Sequence, residues 1–171
     1  NKLLVDPYAK RLDRPFVRSP RLRLLREDAE DTAPLIPKAI VGPPEPTLQK
    51  PRRNIKNLHL FYEMNVRGYS MRRDDLPMAE RGTFAALADA RSIDRLVKLG
   101  VTAVELMPVH AAIDDHFLVK KDLANYWGYN TLAFFAPRPS FLSDGSLAEL
   151  QTAVRRLHAA VERVGREWLG A

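Results

Sequence analysis

Cysteine is absent from all 171 residues. That excludes disulfides and thiolate nucleophiles, and a cytoplasmic location is the expectation. No apolar run reaches 18 residues, so no segment is expected to cross a membrane as a helix. Aromatic residues are sparse at 8%, yet three of them crowd into Asn125–Thr131, "NYWGYNT". That stretch has no His, Asp or Glu. It can grip a flat ligand but carries no acid or base of its own.

What is abundant is basic charge, and it is localised. Eight Lys/Arg residues fall within positions 1–26 against Asp6 and Asp13, whereas the remaining 19 basic and 19 acidic residues cancel. One reading is an arm for a polyanion. The segment lacks a Gly-rich or aromatic-interleaved nucleic-acid pattern, so the plainer expectation is a solvated linker and no nucleic-acid partner. Six prolines between Pro34 and Pro51 remove backbone donors and fix φ, so residues 1–56 read as an irregular linker with a short helix near Arg21–Glu27.

Ordered periodicity begins after the linker. "NLHLFYEMNVRGYS" reads as a strand ended by Gly68, followed by a charged loop. Ile93, Leu96 and Val97 mark a helix with Gly100 as its cap, and Val101–Val109 reads as a buried strand. Strand, helix, strand at this spacing is a βαβ unit, which favours a parallel pair. A long loop carries Asn125–Thr131, and "LAFFAPRPSF" reads as short extended structure and a turn. Ser146 and Glu149 form a capping-box pattern. The stripe Leu147, Leu150, Val154, Leu157, Val161, Val164 and Trp168 then predicts an amphipathic helix able to run to the end of the chain, with Trp168 its most exposed part. Such a stripe is a core face or, alternatively, a partner-binding one.

In order, "LFYEMNVRGYSM", "GTFAALA", "LVKLGVTAVELMPVHA", "NYWGYNTLAFFAPRPSF" and "LAELQTAVRRLHAA" resemble the opening of the catalytic barrel of isoamylase-type glycogen debranching enzymes, of the α-amylase superfamily (glycoside hydrolase family thirteen). "NKLLVDPYAKRLD" and "DTAPLIPKAIV" look like the connector that follows a carbohydrate-binding module in those enzymes. The resemblance implies an α/β chain forming an incomplete (β/α)8 barrel: strand 1, helix 1, strand 2, a long loop and helix 2. The implied organisation is a linker at 1–56, the barrel portion at 57–160 and a divergent helical tail at 161–171. After about Ala160 the family pattern is lost, and no "DVVYNH"-like segment follows.

The implied parent activity is hydrolysis of α-1,6 branch links in glycogen or limit dextrin, by a retaining mechanism with two carboxylates. Neither carboxylate motif is found, so no catalytic residue is assigned and the chain alone is expected to be inactive. A non-catalytic α-glucan-binding module, or a branching or trehalose-forming relative, are the alternatives. The implied partners are glycogen, limit dextrin and maltooligosaccharides, with no cofactor, and self-association through open barrel edges is expected.

At the position matching the family motif, Tyr129 would lie along a sugar ring, whose axial C–H face suits an aromatic plane. Gly128 would permit the tight turn that presents it. Tyr126 and Trp127 are expected to pack beneath it, with Trp127 also a candidate sugar contact. His110, just after the second strand, is a candidate hydroxyl partner. Glu63, Asn65 and Arg67 alternate along the first strand, with Arg67 a possible orienter of a carboxylate. His110, Asp114, Asp115 and His116 form only a weak metal-like pattern. A solvated loop is the plainer reading, so no metal is assigned.

Overall fold

The computed structural model describes residues 3–25, 27–42 and 60–168, with side chains up to residue 160. In chain order the regular elements are β1 (Phe61–Met64), α1 (Val66–Ser70), α2 (Phe84–Ala88), α3 (Ala90–Lys98), β2 (Ala103–Leu106), β3 (His110–Ala112), α4 (His116–Val119), β4 (Thr131–Pro137) and α5 (Leu147–Trp168). Residues 3–42 with 108–140 make one compact unit, and residues 60–107 with 141–168 make another.

In the second of these units, β1 and β2 pair in parallel, with Phe61 opposite Ala103 and Met64 opposite Leu106. The expected βαβ unit is therefore present. Met64, Leu87, Leu96 and Val101 form the buried cluster, with Tyr62, Val104 and Leu157 against it. Each such aliphatic side chain removed from water contributes about 1.5–3 kcal/mol. Asp89 caps α3 by accepting from the Arg91 amide at 2.8 Å. The helix ends in a Schellman arrangement. Gly100, at φ +75°, donates to the Val97 carbonyl, and Val101 donates to that of Leu96. Hydrogen bonds from Arg91 are the first cause holding the Asp89 carboxyl below its ordinary 3.8. Its stabilising effect is thus complete above that value and is lost as pH falls below it.

Three expectations are corrected here. The first strand stops at Met64 rather than running to Gly68. Asn65 is buried and its side-chain oxygen accepts from the Gly68 amide at 3.0 Å, starting α1. An asparagine that satisfies a helix N-terminus overrides the apolar, aromatic run around it. Asn65 and Arg67 therefore do not share a strand face with Glu63. The second strand also stops early, at Leu106. Pro108 has no amide to continue a ladder, and His110 belongs to a different sheet.

The third correction concerns α5. Its Ser146 oxygen accepts from the Ala148 amide, but Glu149 reaches past Ser146 to the amides of Ser143 and Asp144, each at 2.9 Å. The Ser146 amide instead donates to the Asp144 carboxylate at 2.6 Å. Among the described side chains of the helix Ala153 and Ala160 are the most buried, while Leu147, Leu150, Val154 and Leu157 of the stripe are half-buried, Leu157 against the core cluster. Small residues let α5 lie close to α2, and Arg156 donates to the Ala88 carbonyl at the end of that helix at 2.8 Å. Val161, Val164 and Trp168 lie outside the described side chains.

In the other unit, β3 and β4 pair antiparallel with register shifts on both sides of Ala111. Ala9, Leu12, Ala111, Ala133 and Ala136 form its core. Residues 3–42 are irregular, as expected, with two 3-10 turns, Pro20–Arg23 near the expected helix and Ala33–Leu35. They are not a solvated linker. Leu12 bridges Ala39, and Arg14 donates to the carbonyls of Pro34 and Ile36. Arg18 donates to the Asp114 carbonyl and Arg21 pairs with Glu30. Cations of the proposed polyanion arm are spent on tying the segment down. Residues 43–56 lie outside the described residues.

Enlarging the helix contact tests the revised face of α5. Ala153→Leu should lower the free energy of urea unfolding by about 1–3 kcal/mol through overpacking. Leu150→Ala, at a half-buried position, should cost less. A larger loss for Leu150→Ala would restore the Leu/Val stripe as the packed face.

Candidate functional site

The candidate site is built within the unit of residues 3–42 and 108–140. Its scaffold is β3, β4 and the connection between them. That connection is held by one buried side chain, Asn125. The Asn125 oxygen accepts from the Gly128 amide at 3.0 Å, and its amide donates to Asp115 Oδ2 at 3.4 Å. The backbone amide of Asn125 donates to Asp114 Oδ1 at 2.6 Å, and its carbonyl accepts from Arg138 at 3.0 Å. Asn130 donates to the other Asp115 oxygen at 3.1 Å, and its own carbonyl accepts from the Ile113 amide.

Gly128 closes the turn at φ +82°, where an added Cβ would sit 3.1 Å from the Pro108 carbonyl oxygen. Both the backbone angle and the space demand glycine. The result is a turn that is buried at Asn125 and Gly128 and projects the residues beside them. Tyr129 is 71% exposed. Tyr126 and Trp127 meet edge to face at 5.1 Å, and both are exposed. They therefore do not form a buried underlay for Tyr129, as the sequence suggested. They are a second outward-facing aromatic pair on the same turn.

His110 sits half-buried on β3, with its ring 6.3 Å from that of Phe134. It opens a new strand rather than trailing the preceding one. Asp114 and Asp115 are not a solvated pair. Both carboxylates are engaged by the amides of Asn125 and Asn130, so they act as fasteners. The imidazole of exposed His116 has its pKa held below 6.5, first by desolvation and then by the charges of Arg23, Lys120 and Arg18. Among the described residues no group of three or more His, Asp or Glu is placed to hold a metal. No helix among them is long and apolar enough to cross a membrane.

Sequence reasoning missed Asn125, Arg138 and the fastening role of the two aspartates. The spacing Asn-x-x-Gly was the available signal, since an asparagine side chain commonly accepts an amide a few residues ahead. Nothing local marked Arg138, whose partner lies 13 positions away.

No family model matches the chain. It is 42% identical over 168 residues to a protein of Yersinia enterocolitica named glycogen debranching enzyme, covering 94% of this chain and 25% of that one. A protein of the same name in Dickeya chrysanthemi is 42% identical over 165 residues, with the same coverage. The glycogen operon protein GlgX homolog of Haemophilus influenzae is 39% identical over 174. The chain thus spans about a quarter of the length of the curated relatives it matches. Among solved structures, the catalytic module of the pneumococcal glycogen-degrading factor SpuA matches 92% of this chain and 24% of that one, with TM-score 0.65 and 24% identity. The pullulanase of Paenibacillus barengoltzii matches with TM-score 0.62 and 23% identity, over 92% of this chain and 24% of that one. These structural likenesses establish the fold.

Removing the central fastener should loosen the turn. Asn125→Ala should cost about 1–3 kcal/mol, because it strands the Gly128 amide and part of Asp115. Hydrogen exchange at Gly128 should accelerate in step, and unchanged exchange there would show that another group holds the turn.

Proposed function

We propose that this chain, a homologue of bacterial glycogen debranching enzymes, forms the opening part of a (β/α)8 catalytic barrel that binds α-glucan during hydrolysis of α-1,6 branch links. The observation that carries this reading is the exposed Tyr129 on a turn locked by Asn125 and Gly128. An aromatic plane held out on a rigid turn suits the apolar face of a pyranose and loses little entropy on binding. Trp127 provides a further aromatic contact. His110 provides an imidazole for a sugar hydroxyl. The substrate is glycogen, limit dextrin or a maltooligosaccharide.

Retaining hydrolysis requires two carboxylates ~5–5.5 Å apart, one nucleophile and one acid/base. Asp114 and Asp115, which hold the aromatic turn, already accept amide hydrogen bonds. In this reading the reacting pair lies outside these 171 residues, and the chain alone does not turn over substrate. The commitment of these two acids also favours the second reading, a glucan-binding module without catalysis. The reading includes a cytoplasmic location, with which the lack of cysteine is compatible. Self-association is supported by the unpaired edges of a two-stranded parallel sheet.

Calorimetric titration with maltotetraose tests the aromatic platform. Tyr129→Ala should weaken binding roughly tenfold, since an aromatic contact of this kind is worth about 1 kcal/mol or more. Equal affinity for both proteins would remove Tyr129 from the site. A reducing-sugar assay with glycogen should stay at the buffer level, and clear turnover would place a working carboxylate pair within the chain.

A further inference from the structure

The unit of residues 60–107 and 141–168 has an open cavity of about 390 Å³ lined by Arg73, Asp75, Arg91, Asp94, Arg95 and Lys98. Arg91, Arg95 and Lys98 are spaced i, i+4 and i+7 along α3, so one flank of the helix is cationic. Arg73 approaches from the loop after α1. The lining carries four cations and two carboxylates, and with Asp89, which Arg91 grips, the local net charge is one positive.

Two of the guanidinium groups are fixed in place. Arg73 grips Asp75 with Nε and Nη2 at 3.0 and 2.5 Å and donates Nη1 to Ser92 at 3.0 Å. Arg91 grips both Asp89 oxygens at 2.9 Å and donates to the Asp75 carbonyl. Each uses three of its five N–H donors and keeps two. The side chains of Arg95 and Lys98 are exposed and make no hydrogen bond or ion pair among the described residues. Lys98 lies in the last turn of α3, where its charge offsets the partial negative charge of the helix end.

We propose that this cavity binds the phosphoryl group of a small phosphorylated molecule such as a sugar monophosphate. A phosphoryl group would meet a net positive surface. The N–H groups left over on the two held guanidinium groups can donate to its oxygens, the Arg95 side chain can reach it as a fork, and the Lys98 ammonium adds a point charge. The volume exceeds that of a lone phosphate and lies within the range of small-ligand sites. The inference is independent of the aromatic turn.

The test is a titration of the 171-residue chain followed by amide and arginine Nε–H nuclear magnetic resonance. Ionic strength is held constant with chloride. Inorganic phosphate should produce saturable shifts at Arg73, Arg91 and Arg95, with a dissociation constant on the order of millimolar. A hexose monophosphate should bind at least as tightly, and the free hexose should not bind. Arg95→Gln with Lys98→Gln should weaken phosphate binding at least tenfold. The control pair Lys120→Gln with Lys121→Gln should leave it unchanged. Non-saturable shifts, equal loss in the control pair, or equal binding of the free hexose would each overturn the proposal.

Discussion

An asparagine oxygen that takes the amide of a glycine three residues ahead is the interaction on which both ordered units depend. Asn65 does this to Gly68 at the end of β1, and Asn125 does it to Gly128 in the connection between β3 and β4. In each case the asparagine is buried. A short polar side chain can satisfy a backbone donor where the chain reverses and water is excluded, so the turn is closed without a larger residue to fill the space. At Asn65 the product is a helix start. At Asn125 it is a rigid display of Tyr129.

The second turn is further secured by electrostatics. Asp114 and Asp115 accept from Asn125 and Asn130, and Arg138 reaches the Asn125 carbonyl. Ordering a loop of this length costs entropy, and charge-assisted hydrogen bonds are the strong way to offset it. This arrangement consumes the local acids. The same residues that position the aromatic turn are thereby committed to structural hydrogen bonds.

The βαβ unit, the Gly100 cap and a long terminal helix were legible because each depends on periodicity or on a single residue's backbone freedom. Tyr129 and Gly128 were legible only through resemblance, since nothing in "NYWGYNT" by itself says which ring faces outward. Strand ends were missed where one residue, Asn65 or Pro108, overrode the propensity of its neighbours. The apolar stripe of α5 was legible in part, since Leu157 packs on the core, but the closest-packed positions, Ala153 and Ala160, were not, because hydrophobicity ranks leucine above alanine whereas close helix approach rewards the smaller side chain. The lead-in was read as solvated because its contacts, such as Arg14 to Ile36 and Arg18 to Asp114, join distant positions.

The two sheets differ in one respect with consequences for colloidal behaviour. β1 and β2 pair in unbroken register, whereas β3 and β4 shift register on both sides of Ala111. Such irregularities bend and twist a strand, so a foreign strand docking alongside would lose alignment within a few residues. The antiparallel pair is thereby a poor template for cross-β growth despite the exposed Phe134 and Phe135 rings on β4. Among the described residues, the straight pairing at Phe61–Met64 is the more regular template for an incoming strand.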